Sequence, residues 1–275
     1  MLIQYFQGGD FFDSAFFNPL VNDFGVQITS ASSTQITVVN PGTLVVTTFT
    51  GTGFPAFPIP PLSGTLTGIA MVDSGGNPLA TITGISWGLQ ATLDAIDAAV
   101  GSNALGLLRG LLSLQDITLD ASTAVEGIYG LDFTGVTSDI TVIGSDFADD
   151  IFGGDGDDSI NPGAAPGADD VADVIHGSTG NDTLDYSGLA PGNAYSVLTY
   201  YDLIGPITLD LNALTNIGTV FKGPGQGTDT LVDVANVFDT ANGSIDIYGT
   251  AGADSFTVRT VAGDRKSTRL NSSHG

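Results

Sequence analysis

The sequence contains no cysteine, and only six of its 275 residues are lysine or arginine. The absence of cysteine excludes disulfide cross-links and catalysis by a Cys/His pair. The six basic residues stand against 30 aspartates and glutamates, which gives a formal net charge of −24. Nucleic acids and anionic membranes would repel such a chain, so we expect neither as a partner. The charge favours cations instead.

Histidine is also rare, because the sequence has only His176 and His274. No H-E-x-x-H zinc cluster is present, and a Ser-His-Asp triad would have to use His176 in a chain without a G-x-S-x-G elbow. We interpret His176 as a surface or strand residue. Hydrolysis by a carboxylate pair stays open for an aspartate-rich chain. Because a repeat accounts for the aspartates, we expect no enzymatic activity from this chain.

Long apolar runs are missing as well. The most apolar window, Ala104 to Leu114, spans eleven residues and contains Arg109, whereas a membrane-spanning helix needs about 20 residues. The segment Met1 to Gly8 has no positively charged region of the kind that begins a secretory signal. We therefore expect no membrane span, and export by a route other than an N-terminal signal.

Three of the six basic residues lie close together near the end of the sequence, at positions 265, 266 and 269. The surrounding segment DRKSTRLNSSH, Asp264 to His274, resembles a translated sequencing adapter. A genuine basic tail is the alternative interpretation. We expect residues 264–275 to be non-native and the natural chain to continue past Gly263, so that His274 has no function.

The first half of the chain has β patterns followed by helix signals. Residues 26–83 carry short runs rich in β-branched residues between Gly-, Pro- and Asn-containing turns. Apolar residues then recur at helical spacing, which predicts one helix from a cap at Ser86 to Gly101 and a shorter one after Asn103. We predict a β-rich N-terminal domain, residues 1–139, with short helices near 86–114.

Residues 144–185 mark a change in composition, since they hold 11 aspartates and no lysine or arginine. The stretch GGDGDDSIN, Gly153 to Asn161, matches the nonapeptide G-G-x-G-x-D-x-U-x in full. Three further units follow the same register, namely GSDFADDIF (144–152), ADDVADVIH (168–176) and GSTGNDTLD (177–185). Six residues, PGAAPG (162–167), separate the second unit from the third and read as a loop excursion.

The repeat provides oxygen ligands at regular spacing. Position six is an aspartate in every unit and position eight is apolar, so the carboxylates belong to turns and the apolar residues to short buried strands. Repeats two apart lie on the same side of such a coil, which pairs Asp149 with Asp173 and Asp158 with Asp182. Carboxylates and turn carbonyls form the oxygen-only shell that Ca²⁺ prefers. Stacking them without a cation is unfavourable, so we expect folding and metal binding to be coupled.

This region has two other interpretations. An acidic flexible linker would also be rich in glycine and aspartate, although it would not need an apolar residue at every position eight. An EF-hand is excluded, because no D-x-[DN]-x-[DN]-G loop of this chain ends in a glutamate.

These residues resemble the RTX, or haemolysin-type, calcium-binding family of secreted bacterial proteins. The similarity continues through Gly177–Gly188 and through GTDTLVDVANV (227–237) to a further unit, GTAGADSFT (249–257). It implies a mainly β fold: a parallel β-roll or solenoid of nonapeptides over residues 140–188, then a β-rich continuation over 189–263. The calcium-binding residues that we assign on this basis are Asp149, Gly153, Asp155, Gly156, Asp158, Asp173, Gly177, Thr179, Gly180, Asp182 and Asp254.

The resemblance also implies a function. We expect a calcium-binding structural or interaction module of a secreted or cell-surface protein, exported by type I secretion and folding on calcium outside the cell. The alternative is the non-catalytic calcium module of a secreted polysaccharide- or protein-degrading enzyme. The sequence identifies calcium ions as the partner and names no protein or glycan.

Overall fold

The structure is a computed structural model that describes residues 1–11, 26–55, 62–102, 104–164, 173–188, 195–212, 215–234, 244–259 and 269–271. The chain is mainly β, as predicted, and forms two compact units, residues 1–120 and 121–275. The predicted cap Asn103, half of the insertion 162–167, the first part of the third repeat and most of the segment 264–275 lie outside the described residues.

The described part of the first unit contains a mainly antiparallel sheet and two helices. Its elements are β1 (Leu2–Tyr5), β2 (Gly9–Asp10), β3 (Gln27–Ala31), β4 (Gln35–Val39), β5 (Val46–Thr52), β6 (Thr65–Val72), β7 (Pro78–Gly88), α1 (Leu89–Ser102), α2 (Gly106–Leu112) and β8 (Ile117–Asp120). Within this unit the order of the sheet is β8-β1-β7-β6-β5-β4-β3, in which only β8 and β1 run parallel.

The predicted helix start is wrong by two residues, since a cap at Ser86 places the first helical residue at position 87, whereas α1 begins at Leu89. Strand β7 continues to Gly88, because its alternation of buried and exposed side chains persists, with Ile85 and Trp87 buried and Ser86 exposed. A side chain on the outer face of a strand cannot cap a helix that begins later. Helix α1 begins at Leu89, and the hydroxyl of Thr92 donates to the Gly88 carbonyl at 2.9 Å.

The second unit consists of short strands. They are β9 (Ile128–Tyr129), β10 (Leu131–Asp132), β11 (Ile140–Ile143), β12 (Asp150–Phe152), β13 (Ser159–Asn161), β14 (Asp173–His176), β15 (Thr183–Asp185), β16 (Tyr195–Thr199), β17 (Thr208–Asn212), β18 (Ile217–Phe221), β19 (Thr228–Val232), β20 (Ser244–Tyr248), β21 (Ser255–Arg259) and β22 (Arg269–Asn271). Strand β22 is the only described part of the predicted non-native tail.

Strands β10 to β16 alternate between two sheets. Within this unit one sheet has the order β11-β13-β15-β19-β18-β17-β21 and the other β10-β12-β14-β16-β20-β22. The second sheet is parallel throughout. The first is mixed, since β18 lies antiparallel between β17 and β19. Short connections explain this difference, because antiparallel neighbours can be joined by a tight turn whereas parallel neighbours need a long crossover.

Apolar columns run along the inner face of each sheet. Position eight of all four repeats is buried, as predicted, with at most 1% of Ile151, Ile160, Ile175 and Leu184 exposed. In register, Ile151 pairs with Ile175 and Ile160 with Leu184. We call one strand of a sheet, together with the turn that precedes it, a rung. Each rung packs its buried aliphatic side chain against that of the neighbouring rung, and this regular packing holds the preceding turns in fixed positions.

Candidate metal-binding carboxylates

Four aspartates at position six of the repeats mark the beginnings of strands in the second unit. Asp149, Asp158 and Asp182 each stand one residue before a strand, and Asp173 is the first residue of β14. No more than 2% of any of these residues is exposed. Carboxylates are rarely buried to this extent without a partner, so their contacts decide what they can do.

Two of these carboxylates, Asp173 and Asp182, accept a backbone hydrogen bond from the neighbouring position-six aspartate of their sheet. The Asp149 N–H donates to Asp173 Oδ1 at 3.1 Å, and the Asp158 N–H donates to Asp182 Oδ1 at 3.0 Å. Both pairs are 24 residues apart in sequence, and both are the pairs expected from the repeat spacing. The structure therefore brings these four predicted residues together as two adjacent pairs, one along each sheet.

We call the position-six carboxylates that stack along one sheet a carboxylate column. The carboxylate column that contains Asp182 continues into β19. The Asp182 N–H donates to Asp229 Oδ1 at 3.1 Å, and Asp229 is fully buried. Asp229 was not predicted from the sequence, although a signal was present. Residues 228–231 read Thr-Asp-Thr-Leu, which closely matches Asn-Asp-Thr-Leu at 181–184 in the last repeat.

Hydroxyl groups at position two of the repeats provide further donors that the sequence analysis missed. The Ser145 hydroxyl donates to Asp149 Oδ1 at 2.7 Å, and the Ser178 hydroxyl donates to Asp182 Oδ2 at 3.0 Å. In the full nonapeptide, position two is Gly154, which has no hydroxyl and donates only its backbone N–H, to Asp158 Oδ2 at 2.6 Å, as the Ser145 N–H does to Asp149 Oδ2 at 2.7 Å. A serine directly after the leading glycine was the available sequence signal.

The isolated unit at 249–257 repeats the local arrangement without the pairing. Asp254 Oδ1 accepts the Thr250 hydroxyl at 2.9 Å and the Ile207 N–H at 2.8 Å. Strand β21 pairs with β17, so the neighbour of Asp254 in register is Ile207 rather than another position-six aspartate. Asp254 therefore stands apart from the two carboxylate columns.

Burial makes three of the position-six carboxyls, those of Asp149, Asp158 and Asp173, weaker acids than usual. It raises the pKa of Asp149 to about 6, that of Asp158 to about 7 and that of Asp173 to about 8. The charge of Asp182 adds to the effect on Asp158, and the charge of Asp149 adds to the effect on Asp173. Among the described residues, none donates a hydrogen bond to Asp173 Oδ2, which is buried. Ionising these carboxyls in place is unfavourable unless a positive charge accompanies them.

The turns 153–158 and 177–182 stack on each other. The Thr179 hydroxyl donates to Asp155 Oδ1 at 3.4 Å, and a Cβ built on Gly180 would lie 1.9 Å from the Gly156 oxygen. A cavity of about 370 Å³ opens beside these turns. Four of the predicted ligand residues are among those that line it: Gly153, Asp155, Gly177 and Thr179.

Replacing Gly180 by alanine should therefore destabilise the second unit far more than the same change at Gly225. Both glycines have positive φ, +101° and +82°, so both substitutions carry the left-handed penalty of about 1 kcal/mol. Only the Gly180 side chain would meet backbone, whereas a Cβ at Gly225 has nothing within 4 Å. We expect Gly180→Ala to cost at least ~2 kcal/mol more in urea unfolding. Equal losses would contradict the close stacking of the turns.

A lysine contacts the end of one carboxylate column. Lys222 is fully buried, and its Nζ lies 2.9 Å from Asp182 Oδ2 and forms a second ion pair with Asp229. Nothing in the sequence around Lys222 indicated this contact, because the two partners lie in other rungs.

His176 lies in β14, in agreement with its interpretation as a strand residue. Its ring stacks on Phe152 with centroids 3.5 Å apart, and its Nε2 lies 2.9 Å from Asp150 Oδ1. These contacts account for the orientation of the ring by packing and one hydrogen bond.

Side chains alone do not form a complete metal shell in the described part of the chain. There, no group of three or more His, Cys, Asp or Glu side chains is placed to hold a metal ion. A site built on the paired aspartates would therefore need backbone carbonyls and hydroxyls as additional oxygens. In the same residues, no helix has the length and apolarity to cross a membrane.

The chain was compared with known proteins. No family model, no curated protein and no solved structure matches it.

Proposed function

We propose that the second unit is a calcium-binding β-roll of the RTX type, and that it serves as a structural or interaction module of a secreted protein. The observation that carries the proposal is the pairing of buried position-six carboxylates across rungs, Asp149 with Asp173 and Asp158 with Asp182. The fold is proposed to be completed by calcium outside the cell.

The strand arrangement supports the β-roll. Consecutive short strands from β10 to β16 alternate between two sheets, and their pairings are parallel. Ser159 pairs with Thr141 on one side and with Thr183 on the other, so neighbouring strands of one sheet are two repeats apart in the sequence. The antiparallel strand β18 is an insertion at one end of this regular stack.

The fit to a cation is supported by a buried carboxyl oxygen that has no donor. Asp173 Oδ2 is buried, and within the described residues it has no hydrogen-bond donor. Its raised pKa has the same origin, since burial disfavours the ionised form. In the proposal, Asp149, Asp173, Asp158 and Asp182 hold the ions together with oxygens of the turns that contain Gly153, Asp155, Gly156, Gly177, Thr179 and Gly180.

Calcium is favoured over magnesium by the kind of ligand available. Carboxylates and turn carbonyls give hard oxygens in an irregular arrangement, which Ca²⁺ accepts at coordination numbers of about six to eight. Mg²⁺ requires a tight octahedron of ligands and usually keeps several waters. Once bound, the ion would neutralise adjacent carboxylates and so favour the stacked turns.

A titration of the metal-free full-length chain with calcium tests the proposal. Followed by far-UV circular dichroism, it should show a cooperative gain of β-signal at about 10⁻⁴ to 10⁻³ M, the affinity range of extracellular calcium modules. Magnesium at the same concentrations serves as the control and should have little effect.

A β-signal that is complete without metal and unchanged by calcium would contradict the proposed coupling. In that case the apolar columns would suffice for folding. An equal response to magnesium would argue against sites specific for calcium.

A further inference from the structure

The side chain of Lys222 is enclosed at the junction between the last repeat and strand β19. None of it is exposed, and its two ion-pair partners, Asp182 and Asp229, are at most 2% exposed. The Nζ also donates to the Ser178 carbonyl at 2.6 Å. A lysine is rarely buried so completely, and it remains charged there only if anions surround it.

The contacts of the ammonium group are the kind that a metal ion would make. They consist of one turn carbonyl and two carboxylates, all hard oxygens, and they come from two successive rungs. Asp229 is further held by the Tyr200 hydroxyl, which donates to its Oδ2 at 2.8 Å. The carboxylate oxygens of Asp182 and Asp229 thus already have partners, and these partners include one positive charge, the Lys222 ammonium group.

The backbone of Lys222 is fixed in place for this contact. Its N–H donates to the Gly227 carbonyl at 3.1 Å, which closes the turn between β18 and β19. The side-chain amide of Gln226 donates to the Lys222 carbonyl at 2.7 Å. The antiparallel insertion therefore holds the lysine over the end of the carboxylate column.

We propose that the Lys222 ammonium replaces a calcium ion between Asp182 and Asp229, so that this rung is neutralised by the protein itself and ends the metal-binding column. This inference deepens the proposed function and rests on it. The Asp149–Asp173 pair provides the contrast. Within the described residues, lysine ion pairs involve only Asp182 and Asp229, and Asp173 Oδ2 has no donor.

Replacing Lys222 by methionine should convert this rung into a cation site. Calorimetric titration of the metal-free full chain with calcium should show one more ion per chain for Lys222→Met than for the natural sequence. Without metal, the melting temperature of the variant should fall by about 10 °C, because two buried carboxylates lose their partner, and millimolar calcium should restore it.

Two further variants serve as controls. Arg109→Met removes a positive charge from α2 in the first unit and should leave the number of bound ions unchanged. The double variant Lys222→Met/Asp229→Asn removes one charge of each sign from the rung, so it should bind no additional ion.

The outcomes separate this inference from the proposed function. If Lys222→Met binds the same number of ions as the natural chain, or stays unfolded in millimolar calcium, Lys222 does not stand in for a metal ion. The unaltered chain tests the proposed function by itself. If it binds no calcium while Lys222→Met binds one ion, the proposed function fails and the role of Lys222 stands.

Discussion

Asp173→Asn is expected to weaken calcium binding about tenfold or more and, at the same time, to stabilise the metal-free protein at about pH 8. Calcium loses a charged ligand, and affinities of oxygen sites depend strongly on the number of carboxylates. The metal-free protein loses a carboxyl that must stay protonated or ionise in a buried site. With its pKa raised to about 8, that carboxyl costs several kcal/mol at this pH.

The geometry around Asp173 makes asparagine a clean replacement. Oδ1 accepts the Asp149 N–H at 3.1 Å, and an asparagine oxygen can keep this bond. The amide nitrogen would take the place of Oδ2, toward which no described residue donates a hydrogen bond. The substitution therefore removes the charge without placing the new amide NH₂ group opposite another hydrogen-bond donor.

Asp158→Asn is the matched comparison. Both of its oxygens accept backbone hydrogen bonds, from Ile140 at 2.9 Å and from Gly154 at 2.6 Å. An amide nitrogen would face one of these N–H groups, so this variant should lose calcium affinity without the gain in metal-free stability.

Calorimetric calcium titration and thermal unfolding in metal-free buffer measure the two effects. Asp97→Asn, on the exposed face of α1, makes the same chemical change away from the carboxylate columns and should alter neither quantity. If Asp173→Asn leaves calcium affinity unchanged, Asp173 is not a ligand.

The metal-free protein should lose stability as the pH rises from about 4 to about 8. In the folded state the pKa is about 6 for Asp149, about 7 for Asp158 and Asp229 and about 8 for Asp173, above the value of about 4 in an unfolded chain. Within this window the folded protein holds more protons than the unfolded chain. The contribution of these groups is thus complete below about pH 4 and is lost as the pH passes through the folded values.

The upper half of the window distinguishes these buried carboxyls from general charge repulsion. A net charge of −24 also destabilises the fold as acidic residues ionise, but exposed carboxyls finish ionising by about pH 5. A further fall in melting temperature between about pH 6 and pH 8 should therefore come from the buried columns. It should be smaller in Asp173→Asn.

Saturating calcium should reverse the trend, because protons and calcium compete for the same oxygens. Melting curves at about pH 5 and pH 8, with and without calcium, give the four values needed. If the metal-free melting temperature is the same from pH 6 to pH 8, the carboxyls are not buried as described.

The nonapeptide spacing by itself determined much of the second unit. Because each repeat encodes a turn followed by a short strand, the register of neighbouring rungs is a local property. The pairs Asp149–Asp173 and Asp158–Asp182 could therefore be predicted by counting residues, as could the burial of Ile160 at position eight.

The residues at which helices and strands begin and end were less predictable. Ser86 has the side chain of a helix cap, yet it belongs to a strand, because the burial of Ile85 and Trp87 on either side of it extends β7 past it. Propensity at one residue is weaker than packing over a whole strand.

Only the tertiary structure decided how the carboxylate column ends. Lys222 and Asp182 are 40 residues apart, and Asp182 and Asp229 are 47 residues apart. These distances include an antiparallel insertion that breaks the repeat, so no periodicity connects the three residues. A regular repeat transmits its register from one rung to the next, whereas an insertion resets that register. The position of the Lys222 side chain therefore depends on the tertiary structure and not on the repeat.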